Sequence, residues 1–146
     1  MILNFKVSPK EGVGPIKFGM NISAVRALFS ETPRSFNRTT FSSQPTDFFE
    51  QLGIFVNYDA DGKVEAVEFD DKLNVVLNTK SISGLTARSA KSLIQEFGST
   101  FTESFDSIVA ECLGVSFWVP DIKNEGEDAM VRSVVVFCDG YYDVPN

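Results

Sequence analysis

The chain of 146 residues contains no histidine and only two cysteines. Without an imidazole, catalysis of the Ser-His-Asp and Cys-His types is excluded, and so is any histidine ligand for a metal. Cys112 and Cys138 lie too far apart in the sequence for the usual spacing of zinc ligands. Because both lie within apolar segments, we expect free thiols in a reducing compartment rather than a disulfide.

Long apolar runs are missing as well, and basic residues are few. No segment approaches the roughly 18 apolar residues that a membrane-spanning helix requires. The first residues, MILNFKVSPK, lack the regions of a secretory signal, so we expect a soluble cytoplasmic protein. The 13 Lys and Arg face 20 Asp and Glu, for a formal net charge of −7. This charge disfavours nucleic acids and anionic membranes and favours a basic protein partner.

Recognisable motifs for catalysis, metals and phosphate are absent from the sequence. Residues 59–62 (DADG) begin like a calcium loop, but the later ligand positions do not follow, and a hairpin turn is the better interpretation. Residues 12–15 (GVGP) also predict a turn, because Pro15 has no N–H to offer a phosphate. Glu65 and Glu68 face opposite sides of a predicted strand and do not form an acid–base pair. We therefore expect no enzyme, no cofactor and no metal.

What the chain does have is apolar and aromatic side chains, which make up 43% of the residues and include 14 Phe. A chain of this length can bury a core as a single domain. Residues 19–29 match residues 84–94 at an offset of 84 − 19 = 65. Each segment has the apolar spacing of one helix face, and Asn21 or Ser23 is predicted to cap the first helix.

Other segments repeat in the same order. The matching pairs are residues 3–7 with 73–77, residues 46–58 with 107–119, and residues 64–69 with 131–136. The sequence therefore predicts a duplication, in which one domain (1–146) contains two repeats of about 1–71 and 72–146. Each repeat is predicted to be a β-α-β-β unit. Together they predict an α+β fold, with the helices packed on one face of a curved antiparallel sheet.

Between the first helix and the hairpin, the sequence predicts little regular structure. Residues 30–46 are polar and are predicted to form a loop. Thr46 is predicted to cap a short turn over residues 47–51, with Glu50 near a capping-box position. The two runs 52–58 and 63–69 around the Asp/Gly turn predict a β-hairpin.

Alternation along the predicted strands assigns their two faces. Leu52, Ile54, Val56 and Tyr58 align with Leu113, Val115, Phe117 and Val119 and are predicted to face the helices. The opposite face is predicted to carry Phe55, Asn57, Glu68, Ser116, Trp118 and Phe137. Aromatic side chains mixed with polar ones indicate a protein-binding surface. The alternative is that the tail, residues 138–146, folds over this face and buries it.

Residues 14–29 (GPIKFGMNISAVRALF) resemble the "GM-S/T-x-x-x-V-x-x-L" opening of small bacterial proteins that lay a helix on a curved antiparallel sheet. This group includes the outer-membrane assembly lipoprotein BamE and, as tandem repeats, the β-lactamase inhibitory protein. Together with residues 46–69 and the ending 140–143 (GYYD), the chain resembles bacterial immunity proteins of polymorphic-toxin and secretion-effector systems.

In the tandem inhibitor the concave sheet face grips the target, and this resemblance assigns that role to Phe55, Asn57, Trp118 and Phe137. The inhibitor is secreted and disulfide-bonded, and the lipoprotein carries a lipid on a cysteine near its N-terminus. The sequence shows neither feature. Both departures favour an inhibitor that acts inside the cell.

The function predicted from these observations is a cytoplasmic immunity protein that neutralises a cognate, basic toxin or effector by protein–protein contact. The predicted partner-binding residues are Phe55, Asn57, Asp59, Asp61, Glu68, Trp118, Glu125, Glu127, Asp128, Phe137, Tyr141 and Tyr142. Acidic loops would steer association and aromatic side chains would hold the complex. Two alternatives remain open: an adaptor, chaperone or assembly factor for a secreted effector or envelope complex, and a binder of a small ligand.

Overall fold

The computed structural model describes residues 4–40 and 44–141, which form two β-sheets and a few short helices. The five-stranded sheet has the order β3 (Ile16–Lys17), β2 (Gly12–Val13), β1 (Asn4–Ser8), β8 (Asn74–Leu77) and β9 (Lys80–Ser81). The eight-stranded sheet has the order β10 (Thr102–Ser104), β11 (Ser107–Ala110), β12 (Val115–Trp118), β13 (Ser133–Phe137), β7 (Val64–Phe69), β6 (Ile54–Tyr58), β5 (Thr46–Phe49) and β4 (Arg34–Phe36).

The helices are α1 (Ile22–Arg26), α2 (Ala87–Glu96) and α3 (Ile122–Glu125), and a 3₁₀ turn follows at Gly126–Asp128. Asn21 is the N-cap of α1, because its Oδ1 accepts a hydrogen bond from Ala24 N at 2.8 Å. Thr86 caps α2 through a reciprocal capping box with Ser89. The helix predicted over residues 19–29 is present as α1, but it spans only Ile22–Arg26.

The predicted α+β fold is wrong, because the structure is mostly β. The reason lies in β1 and β8, which carry the same repeated motif. They pair with each other in parallel, with Phe5 opposite Val75 and Val7 opposite Leu77, and so begin a second sheet. One contiguous cluster of buried side chains draws on both sheets, whereas the helices add only a few residues to it. Helices do not form the layer that was expected on the sheet.

Two further predictions about local structure are wrong over the residues that form strands. Residues 47–51 were predicted to form a capped turn, but Thr46–Phe49 is strand β5, with Phe49 fully buried. Residues 30–46 were predicted to form a loop, but Arg34–Phe36 is strand β4 at the edge of the eight-stranded sheet. In both segments, pairing with a neighbouring strand satisfies the backbone N–H and C=O groups. The local sequence does not show that such a neighbour is present.

The two halves of the eight-stranded sheet have equivalent strand registers. The corresponding pairs are Ile54–Phe69 with Val115–Val136, and Arg34–Phe48 with Thr102–Val109. At the centre β7 and β13 run antiparallel, with Val67 opposite Val136 and Phe69 opposite Val134. An approximate two-fold axis therefore passes between these two strands. That the two halves arose by duplication stays a hypothesis.

Candidate protein-binding surface

The eight-stranded sheet turns one face toward the core, and we refer to the other as the outer face. Ile54, Val56, Val67 and Phe69 point into the core and are buried. Since successive side chains of a strand alternate, the intervening residues point outward. One row across the outer face consists of Arg34, Phe48, Phe55, Glu68, Val135, Ser116, Val109 and Thr102, each paired with the next.

Aromatic and arginine side chains form a cluster on the β4 side of this face. The rings of Phe48 and Phe55 stack with centroids 4.2 Å apart, and Phe36 meets Phe55 edge-on at 6.2 Å. The guanidinium of Arg34 lies 5.9 Å from the Phe48 ring centroid, and that of Arg38 lies 5.3 Å from Phe55. We call these five residues the arginine–aromatic cluster. Phe36 is exposed, and Phe48 and Phe55 are half-buried.

Polar contacts fix one side of this cluster. Arg38 Nη2 donates to Glu68 Oε1 at 3.0 Å, and Arg38 Nε donates to Asn57 Oδ1 at 3.1 Å. The Thr46 hydroxyl donates to the same Asn57 oxygen at 2.8 Å. The structure therefore brings together three predicted site residues, Phe55, Asn57 and Glu68. It connects them through Arg38, which the sequence analysis did not select.

The half of the outer face that β10 to β13 form carries smaller side chains. At the positions equivalent to Phe48, Phe55 and Glu68 it carries Val109, Ser116 and Val135. Beyond them lies Trp118, which is 43% exposed and donates from Nε1 to Asp106 Oδ2 at 3.0 Å. Three strand spacings of about 4.8 Å separate β12 from β6, so Trp118 lies roughly 14 Å from the Phe55 strand. Trp118 is on the predicted face but outside the arginine–aromatic cluster.

Phe137 was predicted to be exposed on the outer face, but only 4% of its surface is accessible. The reason is Tyr141, whose ring stacks on Phe137 with a centroid separation of 5.6 Å. The start of the tail thus covers the outer face at this position, whereas residues 142–146, which the alternative interpretation also invoked, lie outside the described residues. Tyr141 itself is half-buried, and Tyr142 lies outside the described residues.

The predicted acidic residues divide between two loops that lie at opposite ends of the strands. The turn with Asp59 and Asp61 precedes β7, and the loop with Glu125, Glu127 and Asp128 precedes β13. Because β7 and β13 run antiparallel, their starting points are at opposite ends of the sheet.

Internal contacts use several of these acids. Asp59 Oδ1 accepts from the backbone N–H groups of Asp61 and Lys63, so this carboxylate shapes the hairpin turn. Glu127 contacts Lys91 at 2.5 Å and Asp128 contacts Arg88 at 2.5 Å, both on α2. Asp61 and Glu125 are exposed. The acidic charge that faces a partner is therefore smaller than the sequence indicated.

A buried polar network lies on the opposite side of β4 and β5. The fully buried carboxylate of Asp47 accepts hydrogen bonds from Arg26, from Ser35 at 2.6 Å and from Tyr58 at 2.8 Å. Burial acts to raise the pKa of Asp47, but these hydrogen bonds outweigh it and the pKa is lowered. Burial, with the bond to Asp47, raises the pKa of the Tyr58 hydroxyl above its ordinary value. This network attaches the edge strand β4 to α1 and to the sheet.

Sequence reasoning selected Phe55 but missed Ser35 and the other members of the arginine–aromatic cluster, because it assigned residues 30–46 to a loop and residues 47–51 to a turn. A signal was present: residues 34–38 (RSFNR) alternate, with Arg34, Phe36 and Arg38 on one face and Ser35 on the other. That signal was weak because the run contains no β-branched residue.

Other sites are few in the described part of the chain. No cluster of three or more His, Cys, Asp or Glu side chains that could hold a metal occurs there. No helix in the described ranges is long and apolar enough to cross a membrane. Two open grooves flank β9: one of about 400 Å³ runs along α2 past Leu85 and Leu93, and one of about 390 Å³ lies near Leu73.

Comparisons of the chain with protein-family models, with curated proteins and with solved structures find no match. A functional argument therefore depends on the chemistry of the chain's own surface. Among the described residues, the arginine–aromatic cluster combines ring stacking, a cation–π contact and a charged hydrogen bond on one face.

Proposed function

We propose that this protein is a cytoplasmic immunity protein, which binds a cognate toxin or effector and neutralises it by protein–protein contact. The observation that carries the proposal is the arginine–aromatic cluster on the outer face of the eight-stranded sheet. Phenylalanine rings and arginine guanidinium groups are enriched at protein interfaces, where a few such residues supply most of the binding energy.

The rigidity of the cluster supports this proposal. Four of its side chains stand on strands β4 to β6, and Arg38, which follows β4, is held by Glu68 and Asn57. A surface that is ordered before binding loses little conformational entropy when a partner docks. A protein partner can match a broad, shallow surface of this kind, whereas a small molecule is normally enclosed in a cleft.

Charge favours a basic partner. The net charge of −7 generates a negative field, and the exposed Asp61 and Glu125 lie at the two ends of the sheet. Such a field increases the association rate with a basic protein, and the effect falls as salt is added. The resemblance of residues 14–29 and 46–69 to immunity-type proteins points to a toxin as that partner.

A test combines capture with rescue. The wild-type protein, tagged at its N-terminus, and a Phe36→Ser variant are used as baits in an extract of the native host. Phe36 is exposed, and the equivalent position, Ser104, already carries serine, so the variant should fold. Ser104→Ala serves as the matched control. We expect the wild type and the control to recover one basic polypeptide, and Phe36→Ser to recover much less of it.

The recovered polypeptide is then expressed in cells that lack this protein. The proposal requires that it arrests growth, that the wild type and Ser104→Ala restore growth, and that Phe36→Ser restores it poorly. Recovery of secretion or envelope-assembly components without any toxic polypeptide would contradict the proposal and favour an adaptor. Equal rescue by Phe36→Ser would contradict the role of the cluster.

A further inference from the structure

Three hairpins in the described chain have two-residue turns, and in each the first turn residue has a positive φ. These residues are Gly14 (φ 56°), Asn78 (φ 60°) and Phe105 (φ 50°), which follow β2, β8 and β10. Glycine and asparagine are the residues that adopt this backbone conformation most readily. Phenylalanine is not, because its Cβ crowds the backbone at positive φ. The choice of residue at position 105 therefore opposes the local fold.

Burial does not compensate for this strain. The Phe105 side chain is 85% exposed, the highest value among the exposed large apolar residues of the described chain. The ring therefore gains little from the hydrophobic effect in the isolated protein. Both the positive φ of Phe105 and the exposure of its ring are unfavourable for folding. Phe105 therefore indicates a role other than stabilising the fold.

The hairpin tip is held firmly against the end of the outer face. Trp118 Nε1 donates to Asp106 Oδ2, and Val119 N donates to Asp106 O at 2.6 Å. Lys123, at the start of α3, places its Nζ 5.6 Å from the Phe105 ring centroid. The Phe105 ring thus projects from a hairpin tip that these hydrogen bonds hold in place, next to the partly exposed Trp118.

We propose that Phe105 inserts into an apolar pocket of the protein partner, with Trp118 packing at the rim of that pocket. Asp106 adjoins the ring and the chain carries a net charge of −7, so the partner that offers this pocket should be a basic protein. This inference takes the identity of the partner from the proposed function. The existence of the contact does not depend on that function. The tip is a second contact, separate from the arginine–aromatic cluster.

Photo-crosslinking in the native host locates the contact even while the partner is unidentified. Benzoylphenylalanine, which keeps an aromatic ring, is placed at position 105, at position 36, or at position 28 as a control. Leu28 is also an exposed apolar residue. We expect the same basic polypeptide to be crosslinked from positions 105 and 36, and not from position 28. Failure of position 105 to crosslink that polypeptide would overturn the inference.

Affinity for the crosslinked polypeptide then tests the ring itself. Phe105→Asn should bind about tenfold more weakly, and Phe105→Tyr within about threefold of the wild type. The thermal midpoint of Phe105→Asn alone should equal or exceed that of the wild type, because asparagine tolerates positive φ. Unchanged affinity, or an affinity loss that only follows a lower thermal midpoint, would overturn the inference.

The two proposals fail in different ways. If Phe36→Ser weakens binding and Phe105→Asn does not, the tip contact is wrong and the proposed function stands. If Phe105→Asn weakens binding to a polypeptide that is not toxic, the tip contact stands and the immunity function is wrong.

Discussion

The guanidinium of Arg26 donates two hydrogen bonds to the carboxylate of Asp47, from Nε at 2.9 Å and from Nη2 at 2.7 Å. The Asp47 side chain is fully buried, whereas that of Arg26 is 42% exposed. Ser35 and Tyr58 occupy the remaining acceptor positions of the carboxylate. The equivalent position in the other half of the sheet is Ile108, so only one half depends on a buried charge.

Removing the arginine should destabilise the fold. We expect Arg26→Gln to lower the free energy of unfolding by about 2–3 kcal/mol, because it leaves a buried carboxylate without its cation. Tyr58→Phe, which removes a single hydrogen bond to the same carboxylate, should lower it by only about 1 kcal/mol. Urea unfolding of the three proteins measures both values. A smaller loss for Arg26→Gln than for Tyr58→Phe would show that the ion pair is not the main stabilising contact.

The same carboxylate should make stability depend on acid pH. Since the pKa of Asp47 is lowered in the folded state, the unfolded state binds the proton more tightly. The stabilisation is fully present above the unfolded pKa of about 4 and is lost as pH falls through the folded value. We therefore expect the unfolding free energy of the wild type to fall more steeply below about pH 4 than that of Asp47→Asn. Parallel curves from urea unfolding across this range would contradict the assignment.

Local features of the fold could be predicted from short stretches of sequence. Asn21 caps α1, and the Asp/Gly turn at residues 59–62 joins β6 to β7, because capping and turn preferences act between near neighbours. The parallel pairing of β1 with β8 could not be predicted in this way. It joins residues 70 positions apart, Asn4 with Asn74, and several sheet arrangements satisfy the same alternation.

The candidate surface was predictable to a similar extent. Alternation correctly placed Phe55 on the side away from the core, because that pattern depends only on strand geometry. The contribution of Arg38 depends on where an edge strand docks, and the burial of Phe137 depends on Tyr141, four residues further along the chain. Both require tertiary contacts, which no local pattern encodes.

Two glycines at equivalent positions should respond differently to the same substitution. Gly53 and Gly114 both have positive φ, of 72° and 67°, so Gly→Ala introduces similar backbone strain at each. A Cβ on Gly114 would lie 2.7 Å from the backbone oxygen of Phe137, whereas a Cβ on Gly53 would meet only the side chain of Asp70. We expect Gly53→Ala to cost about 1–2 kcal/mol of unfolding free energy and Gly114→Ala about 3 kcal/mol.

Urea unfolding of the two alanine variants measures this difference directly. The carbonyl of Phe137 belongs to the central strand β13, which cannot move without disturbing its pairing on both sides. The Asp70 side chain can rotate away from the new methyl group, at the cost of the hydrogen bond that its Oδ1 accepts from Lys72 N at 2.9 Å. Equal costs at the two positions would mean that the backbone strain, and not the contact with Phe137, determines the loss.

Trp118 and Phe137 were both predicted to contact a partner, and the structure separates them by burial. Because Trp118 is 43% exposed, Trp118→Ala should lower the free energy of unfolding by less than about 1.5 kcal/mol and weaken partner binding by more than about 1 kcal/mol. Phe137→Ala should instead cost about 3 kcal/mol of stability, since it leaves a cavity beneath Tyr141. Urea unfolding and calorimetric titration with the captured polypeptide measure the two effects. A large stability loss for Trp118→Ala, with unchanged affinity, would place Trp118 in the core rather than in the interface.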